Sequence, residues 1–213
     1  MSKAVLIDYG SGNLRSAEKA LLRAASEHAG APEVVTTSDP DAVARADRLV
    51  LPGVGAFAAC MGALQAVSGL REAIEEAVMR RGRPFLGICV GMQLMADRGL
   101  EFGATPGLGW ISGEVRRIEP GDARLKVPHM GWNALENVTD HPVFAALEGR
   151  DVYFTHSFAL YPEQPGDAAA WTTHGQRFAA AVAKDNMAGA QFHPEKSQAA
   201  GIKLLGNFLE WRP

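Results

Sequence analysis

The sequence predicts an α/β fold of three layers, αβα, with helices on both faces of a mostly parallel central sheet and extra antiparallel strands in the second half. Three observations carry this expectation. The first half alternates short apolar strands with helical segments, the pattern of a parallel sheet covered on both faces. The second half exchanges helices for strand-like runs. The 213 residues, without internal repeat or linker, fit one domain spanning 1–213. Size scaling gives about 9,500 Å² exposed when folded against about 33,000 Å² unfolded, a core that needs no disulfide or metal staple.

Each element follows in order. Residues 4–7 are an apolar run that stops at Asp8 and the turn Tyr9-Gly10-Ser11-Gly12-Asn13. Residues 14–29 carry apolar positions at Leu14, Ala17, Leu21 and Ala24/Ala25, a helical spacing. Residues 33–36 read as a strand and Ser38-Asp39-Pro40 as a helix start. Residues 48–51 form a strand stopped by Pro52-Gly53, and 58–67 and 70–80 are helical. Residues 84–88 are a strand ending at Cys89, and 91–97 begin another helix. From 103 to 137, Gly, Pro and single aromatics break the pattern, with 113–118 suited to an antiparallel strand. Residues 152–158, 168–173, 178–183 and 187–192 read as strands. Residues 198–211 close the chain as an amphipathic helix with Ile202, Leu205, Phe208 and Leu209 inward.

Composition excludes several functions. Hydrophobic residues make up 47% and charged residues 21%, which rules out a mainly disordered chain. Lys+Arg 21 against Asp+Glu 24 gives net charge −3, so no overall attraction to nucleic acid or an anionic membrane is expected. No run approaches the ~18 apolar residues of a spanning helix, and the apolar run at 4–7 is too short for a signal peptide. Two cysteines, Cys60 and Cys89, make no disulfide framework. A soluble cytoplasmic protein is the expectation.

Three segments carry chemistry. Gly87-Ile88-Cys89-Val90-Gly91 has the G-x-C-x-G pattern, the cysteine form of the nucleophile elbow between a strand and a helix. Small residues on either side allow the sharp turn, which would leave the side chain exposed at the top of the sheet, and a following helix N-terminus favours a thiolate. A buried structural cysteine is the alternative reading, and Cys60 in Ala58-Ala59-Cys60-Met61 fits it well. In Gln191-Phe192-His193-Pro194-Glu195-Lys196-Ser197, His193 can serve as base and Glu195 as its orienting carboxylate. The other histidines, His28, His129, His141, His156 and His174, show no metal-ligand spacing. Pro52-Gly53-Val54-Gly55 lacks the Lys-Ser/Thr of a phosphate loop, whereas its backbone N–H groups suit half an oxyanion hole. Gly10-x-Gly12 is a weak dinucleotide-loop signal, because position 15 is Arg.

Together these three segments resemble the class I, triad-type glutamine amidotransferases, and the resemblance runs from Val5 to Phe208. Within that family, Pro52-Gly53-Val54-Gly55, Lys126-Val127-Pro128-His129-Met130-Gly131-Trp132-Asn133 and Lys196-Ser197 are most similar to glutaminase subunits serving histidine biosynthesis. Anthranilate- and aminodeoxychorismate-type subunits are the alternative. The resemblance implies no cofactor, no metal, glutamine as substrate and a heterodimer with a separate cyclase subunit of the (β/α)₈-barrel type. It implies Cys89 as nucleophile, His193 as base then acid, Glu195 as orienting carboxylate, and the Val54 and Val90 N–H groups as oxyanion donors. Gly53, Gln93 and Glu101 match glutamine-holding positions, and Ser157 and Phe158 a substrate-lining strand end, with Phe158 where Tyr is more usual. Lys196, Trp132, Tyr153 and Asn13 are expected to face the partner.

Overall fold

Five parallel strands end on one side of the molecule, and the loops leaving those ends carry the chemistry-bearing residues. The computed structural model describes every residue except Met1, Gly12 and Ala29. Gly12 of the first turn and the expected helix end at position 29 therefore lie outside the described residues.

The first half runs β1 (Lys3–Ile7), α1 (Leu14–Ser26), β2 (Glu33–Thr37), α2 (Pro40–Ala44), β3 (Arg48–Gly53), α3 (Phe57–Ala66), α4 (Leu70–Glu75), β4 (Phe85–Cys89) and α5 (Val90–Gln93). The second runs β5 (Ala96–Gly99), β6 (Thr105–Pro106), β7 (Ile111–Arg117), β8 (His129–Ala134), β9 (Asp151–His156), β10 (Phe158–Pro162), β11 (Ala168–His174), β12 (Gln176–Lys184), β13 (Met187–Ala190) and α6 (Gln198–Glu210). The main sheet has the order β11-β12-β13-β4-β3-β1-β2. Strands β13, β4, β3, β1 and β2 are parallel, and β12 pairs antiparallel with both β13 and β11. A second sheet, β10-β7-β5-β6, and the hairpin-like pair β8-β9 flank it.

The strands form because apolar runs bury on both faces. All of β4 is buried, and Leu6, Leu49, Leu51, Phe85, Phe178, Phe192 and Phe208 are fully enclosed in one contiguous core. Ala17, Ala20, Leu21 and Ala24 are the buried stripe of α1, which packs on α6. In α6, Leu204 is buried in place of the expected Ile202, which is only partly covered. Asp39 caps α2 by accepting from Asp41 N–H at 3.1 Å, as the Ser-Asp-Pro start implies.

Four expectations need correction. The helix expected over 91–97 is a single turn. The carbonyls of Leu94, Met95 and Ala96 accept from N–H groups of Leu108, Gly109, Trp110 and Ile111, so tertiary pairing replaces the next helical turn. The helix expected over 70–80 changes at Glu76 to a π-helical turn through Arg80. The strand expected over 152–158 breaks at Ser157 into β9 and β10, which belong to different sheets. The segment expected to lack pattern contains β8, whose register partner is β9. Gly131, with φ +134°, interrupts its side-chain alternation and hides it from a period-two reading.

Candidate active site

Cys89 ends β4 and begins α5 with φ 54° and ψ −112°. That is strained backbone for a non-glycine residue, held by the packing around it. A Cβ on Gly87 would sit 2.6 Å from the Gly91 carbonyl oxygen, and one on Gly91 would sit 1.9 Å from the Leu51 carbonyl oxygen. The elbow can therefore pass between β3 and its own helix only with glycine at both places. The expectation of an exposed elbow needs correction, since Cys89 is 3% exposed and reaches solvent only through a cavity.

That cavity has a volume of about 410 Å³, within the range of small-molecule sites. Its wall includes Cys89, Val90, Val54, Gln93, His193 and Glu101, with Ser157, Phe158, Asn13 and Lys196 completing the expected residues found there. Gly53 is not on this wall. A Cβ there would lie 2.7 Å from the Gly91 nitrogen, so Gly53 serves the close approach of β3 to the elbow.

His193 and Glu195 follow β13, and the short turn Pro194–Lys196 joins them. His193 Nδ1 bonds Glu195 Oε1 at 2.8 Å, leaving Nε2 for the cavity whose wall it shares with Cys89. Burial, the strongest influence on His193, lowers its pKa. The hydrogen bonds and charges of Cys89 and Glu195 together outweigh it and raise the pKa to about 10. The arrangement favours the imidazolium form of His193 at neutral pH.

Asn13 does more than face outward. Its Nδ2 donates to Glu195 Oε1 at 2.7 Å, so it helps hold the carboxylate that orients His193. Glu101 lines the cavity while its Oε2 accepts from the Phe57 N–H at 2.9 Å. One carboxylate thus anchors the start of α3 and presents charge to the site. Val90 is the first residue of α5, so its N–H has no intrahelical partner. The Val54 N–H, expected as the second oxyanion donor, is instead given to Ser11 Oγ at 3.0 Å.

At the rim, Lys196 Nζ lies 5.5 Å from the centre of the Tyr153 ring. Trp132, 48% exposed, meets the same ring edge-on. Met130, two residues earlier on β8, is 63% exposed and extends this apolar face; nothing in the local sequence gives it that role. Tyr153 also ties the rim to the base, because its carbonyl accepts from His193 N–H and its N–H donates to Ser197 Oγ.

Two histidines, His156 on the cavity wall and His129 beside it, are held neutral. Burial pushes His156 down to about 3, and burial with the nearby His174 charge pushes His129 to about 4. An unfolded histidine takes up its proton near pH 6.5, so the unfolded state binds more protons than the folded one below that pH. Stability should therefore fall as the pH drops from about 6.5 toward 4, by up to about 2 kcal/mol at pH 5 from His156 alone. Urea unfolding at pH 7 and pH 5 checks this, and His156→Asn, which keeps a donor but does not titrate, should shrink the difference.

Among the described residues, no group of three or more His, Cys, Asp or Glu side chains is placed to hold a metal ion. None of the helices described is long and apolar enough to cross a membrane.

A cysteine on a strand-to-helix elbow, with a histidine and a carboxylate from the next parallel strand, defines a cysteine-nucleophile hydrolase site on an α/β sheet. The family model for Glutamine amidotransferase class-I matches residues 5–211, and the chain belongs to that family. It is similar to imidazole glycerol phosphate synthase subunit HisH of Caulobacter vibrioides, 59% identical with 100% of both chains covered. The subunit of the same name from Rhodospirillum rubrum is 54% identical, over 99% of this chain and 100% of that one. Among solved structures, a glutamine amidotransferase superposes with TM-score 0.72 at 18% identity, covering 97% of each chain. A glutamine amidotransferase from Thermotoga maritima gives TM-score 0.61 at 17% identity, covering 91% of this chain and 76% of that one. These two structures show a shared fold.

Proposed function

We propose that this chain is the glutaminase subunit of an imidazole glycerol phosphate synthase. It hydrolyses glutamine to glutamate and ammonia and passes the ammonia to a cyclase subunit of the (β/α)₈-barrel type in the cytoplasm. The observation that carries the reading is that Cys89 and His193 share one cavity wall, with Glu195 bonded to His193 behind it, in a chain so similar, end to end, to the relatives named above. Those relatives also favour this assignment over an anthranilate- or aminodeoxychorismate-type subunit.

The chemistry follows from the geometry. The Cys89 thiolate attacks the carboxamide carbon of glutamine, and the oxyanion is met by backbone N–H groups at Val90 and, once released, Val54. The His193 imidazolium gives its Nε2 proton to the leaving nitrogen, the C–N bond breaks and ammonia departs. The thiolate that raised the His193 pKa is now consumed in the thioester. The neutral ring can then take a proton from water, whose oxygen attacks the thioester carbon. Glutamate leaves and the thiolate returns. Glu195, itself held by Asn13, keeps Nδ1 protonated throughout.

In this reading Glu101 meets the α-ammonium of glutamine, and Gln93, Ser157 and Phe158, which line the same cavity, hold the rest of the substrate. Lys196, Tyr153, Trp132 and Met130 form the face toward the cyclase, where a half-exposed Trp is a suitable anchor. Mixing the chain with a cyclase subunit of this class should give a stable heterodimer that makes imidazole glycerol phosphate with glutamine. With Cys89→Ala, glutamine should no longer support the product, whereas free ammonia should support it at the wild-type rate. Loss of the ammonia-dependent reaction, or survival of the glutamine-dependent one, would contradict the assignment.

A further inference from the structure

One side chain outside the triad puts a hydrogen on the nucleophile. Gln191 Nε2 donates to Cys89 Sγ at 3.8 Å. The register explains the contact: Ala190 of β13 pairs with Ile88 of β4, so the next residues, Gln191 and Cys89, lie side by side where both strands end. Both are buried.

The Gln191 carboxamide has only one orientation open to it. Its Oε1 accepts from Gln93 Nε2 at 3.0 Å, which turns its own Nε2 toward the sulfur. Gln93 Nε2 also donates to the Phe158 carbonyl at 2.8 Å. That carbonyl accepts from His156 Nδ1 at 2.9 Å, which makes His156 Nε2 an acceptor. His129 Nδ1, 3.1 Å away, is then the donor to it. Because burial keeps both rings neutral, their tautomers are set by these partners. The donors of His156 and Gln93 meet at the Phe158 carbonyl, so of these groups Gln93 alone sets the sense of the Gln191 carboxamide.

Such a donor has a purpose here. A thiolate taken out of water needs hydrogen bonds to replace its solvation. The helix after the elbow, expected to supply part of that charge, is only the four residues Val90–Gln93, too short for an appreciable dipole.

We propose that Gln191 is a further catalytic residue, which donates through Nε2 to the Cys89 thiolate, and that Gln93 is a positioning residue that fixes its orientation. When the Cys89 proton moves to His193 Nε2, the charge left on sulfur is shared with this N–H. The inference rests on the reading of Cys89 as the nucleophile.

The test is the rate at which iodoacetamide alkylates Cys89 at pH 7, read by peptide mass spectrometry, alongside glutaminase kinetics of the complex. Gln191→Met keeps the length and removes the donor. It should slow alkylation about tenfold, the low end of what a hydrogen bond to a charged group is worth. It should lower kcat by a similar factor and leave KM within about twofold. Gln93→Met, which removes the donor that turns the Gln191 carboxamide, should slow alkylation in the same direction in the absence of glutamine. If Gln191→Met does not fold, Gln191→Glu, which still accepts from Gln93, takes its place under the same criteria. Unchanged alkylation and kcat, or a rise in KM alone, would overturn the role of Gln191. A wild-type chain whose Cys89 does not react at all would instead overturn the nucleophile reading.

Discussion

Replacing Cys89 by alanine is expected to lower glutaminase kcat by about 10⁴-fold or more, as loss of a triad nucleophile does elsewhere. His193→Ala should fall in the same range, because His193 is the base that shares the cavity wall with the sulfur. Glu195→Gln should lose less, since Asn13 and the turn Pro194–Lys196 still constrain the ring. Folding should survive in all three. Cys89 contributes one small side chain to the core, and its φ of 54° is imposed by the packing of Gly87 and Gly91, which the substitution leaves intact. Circular dichroism with urea unfolding separates loss of chemistry from loss of structure. Near-wild-type kcat in any complex carrying Cys89→Ala would contradict the mechanism.

The next largest effect is expected at the loop 52–55. Loading a cyclase partner with its nucleotide should raise glutaminase kcat about 10²–10³-fold over the isolated chain, the value of one oxyanion donor, with a smaller change in KM. The structure holds that donor away from the site by a clamp of three side chains. The Val54 N–H donates to Ser11 Oγ, the Val54 carbonyl accepts from Cys60 Sγ at 3.4 Å, and Tyr9 OH donates to the Pro52 carbonyl at 2.7 Å. Burial pushes the Tyr9 hydroxyl far up, so it remains a donor throughout the working range. The Val54 N–H lies on the Gly53–Val54 peptide, and Gly53 at its start supplies the backbone freedom for that peptide to turn. Partner binding shifts the loop only by its differential affinity for the two orientations. Ser11→Ala removes the acceptor, so it should raise the kcat of the isolated chain and reduce the stimulation by loaded partner. Equal kcat for the isolated chain, the complex and the nucleotide-bound complex would rule the clamp out as a control.

How far these features were legible in the sequence depends on how local their causes are. The elbow was legible because its glycines are demanded by backbone contacts within and beside one turn. The alternating first half was legible because buried parallel strands need uninterrupted apolar runs. The short α5 was not. Residues 91–97 have helical spacing, and only the N–H groups of Leu108 to Ile111, brought in by a distant loop, stop the helix. Strand β8 was hidden by Gly131 and by the exposed apolar pair Met130 and Trp132, which invert the usual alternation. The Val54 donor follows from local loop chemistry, but its partner, Ser11, lies on another strand's turn. Gln191 belongs to the same motif as His193, yet local pattern gives it no role. Its position beside Cys89 comes from the pairing of β13 with β4, which the residues around it do not encode. Asn13, expected at the partner face, also bonds Glu195 across 182 positions of sequence, a contact its local sequence does not announce.

The central claim, that Cys89 is the nucleophile toward a glutamine side chain, is tested most directly by covalent trapping. The wild-type chain, alone and with partner, is treated with a glutamine analogue carrying a diazoketone in place of the carboxamide, and the adduct is mapped by mass spectrometry. The account predicts one adduct per chain, on Cys89, formed more slowly when glutamine is present in excess. Labelling of Cys60 instead, or labelling that glutamine does not slow, would contradict it.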